Sequence, residues 1–151
     1  MVARTRREEV RGASGPLAGS VVTLTLNAVP VSTNALRGRH WAIKHGDRQD
    51  WAALAAAAPR GPWMGERRAV CRTKVRWVVT MYRVRALDAD NKVGACKSMI
   101  DALVRRGWAV DDSERWLELE VQQLLVPKAQ VRTRIVISEI ASRETPQRSV
   151  E

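Results

Sequence analysis

The most restrictive feature of this chain is a strand whose two faces are opposite in character. Between residues 70 and 84 the residues Val75, Trp77, Val79 and Met81 recur at every second position, with Arg72, Lys74 and Arg76 between and before them. Side chains alternate across a strand with period two, so one face of this segment is apolar and the other is cationic. One sheet covered by helices is the economical way to bury such a face.

The flanking segments supply the rest of that sheet. Val21, Val22, Thr23, Leu24, Thr25 and Leu26 are β-branched and alternating, a strand by propensity and by period. Pro30, Ser32, Thr33 and Asn34 make a turn-rich loop after it. Residues 40–58 read as a helix with Trp41, Arg48, Trp51 and Ala55 on one side; Gly46 weakens it and Pro59 ends it. Residues 91–106 form the clearest helix, with Val93, Cys96, Ile100, Leu103 and Val104 as its apolar stripe, Asp90 as N-cap and Gly107 as terminator. Two further strands are expected at 116–126 and 131–140, joined through Pro127, Lys128 and Ala129. The order is β-α-β-α-β-β, an α+β domain with a single mixed sheet of about four strands and two helices. Residues 21–140 make up the domain. Residues 1–20, rich in Arg, Gly, Ser and Ala, read as a mobile basic arm, and 141–151 as a tail.

Charge narrows the partner. Twenty-six Lys and Arg face sixteen Asp and Glu among 151 residues, a formal net charge of +10. A polyanion is the partner such a balance favours, nucleic acid first and an anionic membrane surface second. The charge is segregated: residues 60–85 hold eight bases and one acid, Glu66, whereas residues 110–151 hold eight acids and six bases. Arg67, Arg68, Arg72, Lys74, Arg76, Arg83 and Arg85 are therefore the expected phosphate contacts.

Other classes find little support. No apolar run is long enough to span a bilayer and no apolar stretch follows the basic N-terminus, so a cytoplasmic protein is expected. Cys71 and Cys96, with His40 and His45, do not have the spacing of a zinc site. Neither a phosphate-binding G-x-x-x-x-G-K-[ST] loop nor a G-x-S-x-G elbow occurs. In a chain without Phe, the six tryptophans are the natural core aromatics; Trp63, in a loop among basic residues, is the one placed to stack on a base.

One group of residues points to chemistry. Asp88 and Asp90 stand at the junction of the long strand and the second helix, where an extended backbone aims both carboxylates the same way. Lys97 and Asp101 follow on the helix, and Asp111 and Asp112 come just after it. A strand-helix-strand unit can return the second acidic pair toward the first. Oxygen ligands without Cys or His suit a hard ion such as Mg²⁺ or Mn²⁺, and such an ion reverses the local sign that would otherwise repel DNA. The plainer alternative makes Asp90 a helix cap, Asp88, Asp111 and Asp112 turn residues, and Lys97 with Asp101 a surface i, i+4 pair.

The string Asp88-Ala-Asp90-Asn91, then Lys97-Ser-Met-Ile-Asp101-Ala-Leu103, then Gly107-Trp-Ala-Val-Asp111-Asp112, resembles the RusA family of Holliday junction resolvases. That family shows D-x-D-N, K-x-x-x-D-A-L and a closing G-[aromatic]-x-x-D-D in this order. Pro30-Val-Ser32-Thr-Asn34 is similar to its P-P-S-x-N loop, with Val31 in place of the second proline. The resemblance implies a RusA-like fold over residues 21–140 and a homodimeric, Mg²⁺-dependent endonuclease, with Mn²⁺ as a substitute, that cuts four-way DNA junctions and is encoded largely in phages and prophages. It assigns Asp88, Asp90 and Asp112 to metal binding and catalysis, Asp111, the other member of the terminal pair, to metal binding, and Lys97 to catalysis, with Lys92 competing for that last role. A flap or branch nuclease, a non-catalytic basic DNA-binding protein and a regulatory phage protein are the alternatives.

Overall fold

A computed structural model describes residues 3–9, 20–32, 35, 41–64 and 72–140. Five strands form one mixed sheet: β1 (Ala3–Glu9), β2 (Ser20–Leu26), β3 (Val75–Arg83), β4 (Leu117–Leu125) and β5 (Arg132–Glu139), in the spatial order β1-β2-β5-β3-β4. Helix α1 (Trp41–Ala57) lies between β2 and β3, and α2 (Ala89–Ala95) with α3 (Lys97–Arg105) between β3 and β4. From β2 onward the order is the one expected from the sequence. The fifth strand corrects the reading of residues 1–20 as a mobile arm: Ala3–Glu9 pairs antiparallel with β2 in an unbroken register from Ala3 opposite Leu26 to Glu9 opposite Ser20. Its run of Arg and Glu has no apolar period because an edge strand draws on backbone pairing. The tail 141–151 lies outside the described residues.

Connection type follows from pairing. β2, β5 and β3 are antiparallel neighbours, whereas β3 and β4 run parallel from Val75 opposite Leu117 to Arg83 opposite Leu125. A parallel pair needs a crossover, and the α2–α3 unit is that crossover. The inward residues are those that alternation singled out: Val22, Leu24 and Leu26 on β2, Val75, Trp77, Val79 and Met81 on β3, and Ile135 and Ile137 on β5 are fully buried. They share one cluster with Trp51, Leu54 and Ala55 of α1 and with Met99, Ile100, Ala102 and Leu103 of α3. Removing a side chain of Trp77's kind from such a core costs about 3–5 kcal/mol.

Three details depart from expectation. The second helix starts two residues earlier than predicted, with Asp88 and not Asp90 in the N-cap position, and it breaks at Cys96. Gly94 lowers helix propensity just before the break, and Cys96 is buried with its Sγ donating to Met81 Sδ at 3.8 Å. Burial pushes the Cys96 thiol up to about 12, so it is a core residue without thiolate chemistry. Trp63 is likewise a correction: it is 1% exposed and belongs to the core, where it cannot stack on a base. On α1 the expected Trp41 face fails too, since Trp41 is exposed and Leu54 takes the inward place beside Trp51 and Ala55.

Candidate active site

The site is assembled by the way α3 ends. Gly107 N–H bonds to Val104 O at 2.9 Å and Trp108 N–H to Leu103 O at 3.1 Å, the paired closure of a Schellman motif, with Gly107 at φ +93°. Trp108 then turns into the core, its Nε1 donating to Pro59 O at 3.0 Å, while Trp77 Nε1 donates to Trp108 O at 3.3 Å. Arg106 donates twice to Ala58 O, at 2.9 and 2.7 Å. Thus the Gly-Trp element fixes the path of residues 108–110, all buried, and delivers the next two residues, Asp111 and Asp112, to the side of α3.

Asp112 arrives at Lys97. Lys97 Nζ donates to Asp112 Oδ2 at 3.0 Å and to Asp101 Oδ1 at 3.2 Å. These contacts raise the Lys97 pKa, Asp112 being the larger cause, and the Lys97 hydrogen bond holds the Asp112 carboxyl below its ordinary range. Asp111 does something else: its Oδ1 accepts from the Ser113 backbone N–H at 3.0 Å, a turn role. Lys97 and Asp112 sit in a cleft of about 610 Å³ between α2–α3 and β4, with Lys74, Val93, Ile100 and Leu117 among its walls.

Asp88 and Asp90 stand at the head of the same helical unit. Asp88 has the extended conformation of an N-cap, yet its carboxylate makes no capping bond. Among the described residues neither Asp88 nor Asp90 has a hydrogen bond or ion pair from its side chain, and both are exposed. The loop before them is held by Gln123 of β4, whose Oε1 accepts from Leu87 N–H and whose Nε2 donates to Leu87 O, both at 2.8 Å. Sequence reasoning missed Gln123, because a lone glutamine on a strand carries no signal of what lies opposite.

The donor chemistry of these aspartates suits a hard divalent ion, but their placement does not make a site for one. Among the described residues no three Asp, Glu, His or Cys side chains come close enough together to hold a metal ion. Asp112 is engaged by a lysine and Asp111 by a backbone amide.

The expected phosphate contacts divide. Arg67 and Arg68 lie outside the described residues. Arg72 and Arg85 are exposed, and Lys74 lines the cleft. Arg76 is engaged by Glu120 at 2.7 Å and Glu118 at 3.7 Å across the β3–β4 pair. Arg83 donates to the carbonyls of Pro30 and Arg85, and burial lowers its pKa; its work is to fasten the loop at residues 28–32, which Thr133 also holds by donating to Ala28 O at 2.7 Å. Two cations not among those expected stand on the outward face. Arg132 lies 4.0 Å and Arg134 5.8 Å from the ring centroid of Tyr82. Neither forms an ion pair among the described residues, and their alternation with Thr133 and Ile135 was the available signal.

Comparison of the chain with models of protein families and with curated proteins returns no match. Among the described residues no helix is long and apolar enough to cross a membrane.

Proposed function

We propose that this chain is an endonuclease of branched DNA, with the four-way junction as its foremost substrate. The observation that carries the reading is the meeting of Lys97 and Asp112, fifteen positions apart, on a cleft at the side of the helical unit that bears Asp88 and Asp90. These are the residues on which the resemblance to the RusA resolvases rests, and their carboxylates are not consumed as helix caps.

The reaction is hydrolysis of a phosphodiester: a water oxygen bonds to phosphorus as the bond to the 3′-oxygen breaks. Lys97 has three N–H donors, of which Asp101 and Asp112 take two. The third is available to a non-bridging phosphate oxygen, where a fixed positive charge counters the charge developing in the transition state. Asp112, held ionised below the ordinary range, is a poor proton acceptor; its part is to keep Lys97 charged and in place. Arg132, Arg134, Arg72 and Arg85 contribute phosphate contacts that set position and carry no sequence information.

A second reading, a basic protein that binds DNA without cutting it, is favoured by the failure of the four aspartates to gather. One assay separates them: a labelled four-way junction and a matched duplex are incubated with Mg²⁺, Mn²⁺ or EDTA. Paired nicks at the junction, dependent on the ion and lost in Asp90→Asn, support the nuclease. Equal cutting of flaps and junctions gives a branch nuclease. Binding without cleavage in either metal overturns the nuclease reading.

A further inference from the structure

The part of α1 before Trp51 buries none of its residues, and its exposed surface is sorted by chemistry. Trp41 is 69% exposed, and Lys44, His45 and Arg48 are exposed beside it. At about 100° per residue, Trp41, Lys44, His45, Arg48 and Ala52 share one arc of the helix roughly 100° wide, while Ile43, Asp47 and Asp50 fall outside it. The indole is braced: its ring lies 6.2 Å from that of His45, tilted by 54°, and Gln49 Nε2 donates to His45 Nε2 at 3.1 Å. Toward the C-terminus the same arc runs into a groove of about 230 Å³ between α1 and α3, lined by Ala52, Ala56 and Ala102 and by the exposed Arg105. A braced aromatic among cations, continued by a groove of small side chains with an arginine in its wall, has both parts of a single-strand platform: a π-face for a base and positive charge for the phosphates.

We infer that this track holds single-stranded nucleic acid, with Trp41 stacked on an unpaired base and Lys44, Arg48 and Arg105 contacting the phosphates along the strand. A base inside a duplex offers no face to an indole, so the occupant is the unpaired strand. From Trp41 to Ala56 the helix runs about 22 Å along its axis, room for several nucleotides. An anionic membrane surface would also meet the cations, but it requires an apolar stripe to bury. Beside the indole the arc offers only alanine, and Ile43 lies outside it with the two acids.

The inference uses none of Asp88, Asp90, Lys97 and Asp112, and its test is run in EDTA, so a failure of the nuclease reading leaves it untouched. Fluorescence anisotropy compares the full chain on a labelled oligothymidylate of about twelve nucleotides with the chain on a duplex of the same length. The single strand is bound more tightly. Trp41 lies outside the core, so its replacement leaves the fold intact. Trp41→Ala weakens single-strand binding roughly 5- to 100-fold, the size expected of one stacked base, and changes duplex binding little. Trp41→Phe keeps a π-face and retains most of the affinity. Arg48→Gln lowers the slope of log affinity against log salt by about 0.7, the share of one single-strand phosphate. Ile43→Ala, outside the arc, changes neither affinity nor slope. A duplex bound as tightly as the single strand overturns the inference, and so does an equal effect of Trp41→Ala on both. A Trp41→Ala chain that keeps its single strand but loses its hold on vesicles of anionic lipid also overturns it, and makes this surface a membrane contact.

Discussion

Lys97 and Asp112 form the ion pair that ties the first residue of α3 to the segment emerging from its far end, with Nζ to Oδ2 at 3.0 Å. Since Lys97 is the main cause of the depressed Asp112 pKa, Lys97→Met should return that carboxyl toward its ordinary value of 3.8. The sign follows from linkage. A carboxyl lowered in the folded state stabilises above its unfolded pKa, and that contribution is lost as pH falls through the folded one. The raised Lys97 contributes below its unfolded pKa and loses that contribution as pH rises through the folded value. Both side chains are substantially exposed, so the pair is worth no more than about 1 kcal/mol. Carbon-detected NMR titration of Asp112 in both proteins is the measurement; identical midpoints sink the assignment.

Glycine positions give a sharper stability contrast. A Cβ on Gly107, at φ +93°, meets Met64 N at 2.6 Å, and one on Gly61 meets Gly107 O at 2.0 Å. Both neighbours are backbone atoms and cannot swing aside, and the two loops are already joined by Gly61 N–H to Arg106 O and Trp63 N–H to Gly107 O, each at 3.0 Å. Gly107→Ala and Gly61→Ala each cost about 2–3 kcal/mol or more, a strained backbone alone accounting for ~1–3. A Cβ on Gly46, in α1, meets nothing within 4 Å. Gly46→Ala therefore stabilises by about 0.5–1 kcal/mol. Urea unfolding of the three variants orders them, and a destabilising Gly46→Ala contradicts the account of α1.

Gln123 tests whether the loop carrying Asp88 is held from the sheet. Gln123→Ala strands both the N–H and the C=O of Leu87, part-buried groups whose loss of partner costs about 1–3 kcal/mol. Hydrogen exchange at Leu87 should quicken more than at Val79 in the core of β3. In the nuclease reading, junction cleavage falls while junction binding changes little. Unchanged exchange at Leu87 removes Gln123 from any positioning role.

The strands were legible because burial on one face forces alternation: Val75 to Met81 and Val22 to Leu26 announce their inward sides residue by residue. Gly107 announced the end of a helix because only a glycine adopts that φ without cost. The strand-helix-strand order was read as returning Asp111 and Asp112 toward Asp88 and Asp90; Asp112 meets Lys97 instead, and among the described residues no three acids gather. What stayed hidden is whatever depends on an opposite number. Arg76 looked like a phosphate contact until Glu118 and Glu120 came across from β4, Arg83 until Pro30 O lay within its reach, and Trp63 until Gly107 closed over its loop. The strand at Ala3–Glu9 shows no apolar alternation because its ladder is a backbone property.

The same opposite numbers rank the cations. Arg134 has no carboxylate partner among the described residues, while Arg76 already has two. Arg132 and Arg134 are both steadied against the Tyr82 ring, which lowers the entropy lost when a phosphate is gripped. Arg134→Ala and Arg132→Ala should therefore each weaken junction binding and each reduce the slope of log affinity against log salt by about one. Arg76→Ala should change both far less, because its charge is spent on Glu118 and Glu120. Fluorescence anisotropy with a labelled junction at several salt concentrations measures the slopes. If Arg76→Ala lowers the slope and Arg134→Ala does not, DNA lies along β3 and β4, and the outward surface of β5 is not its seat.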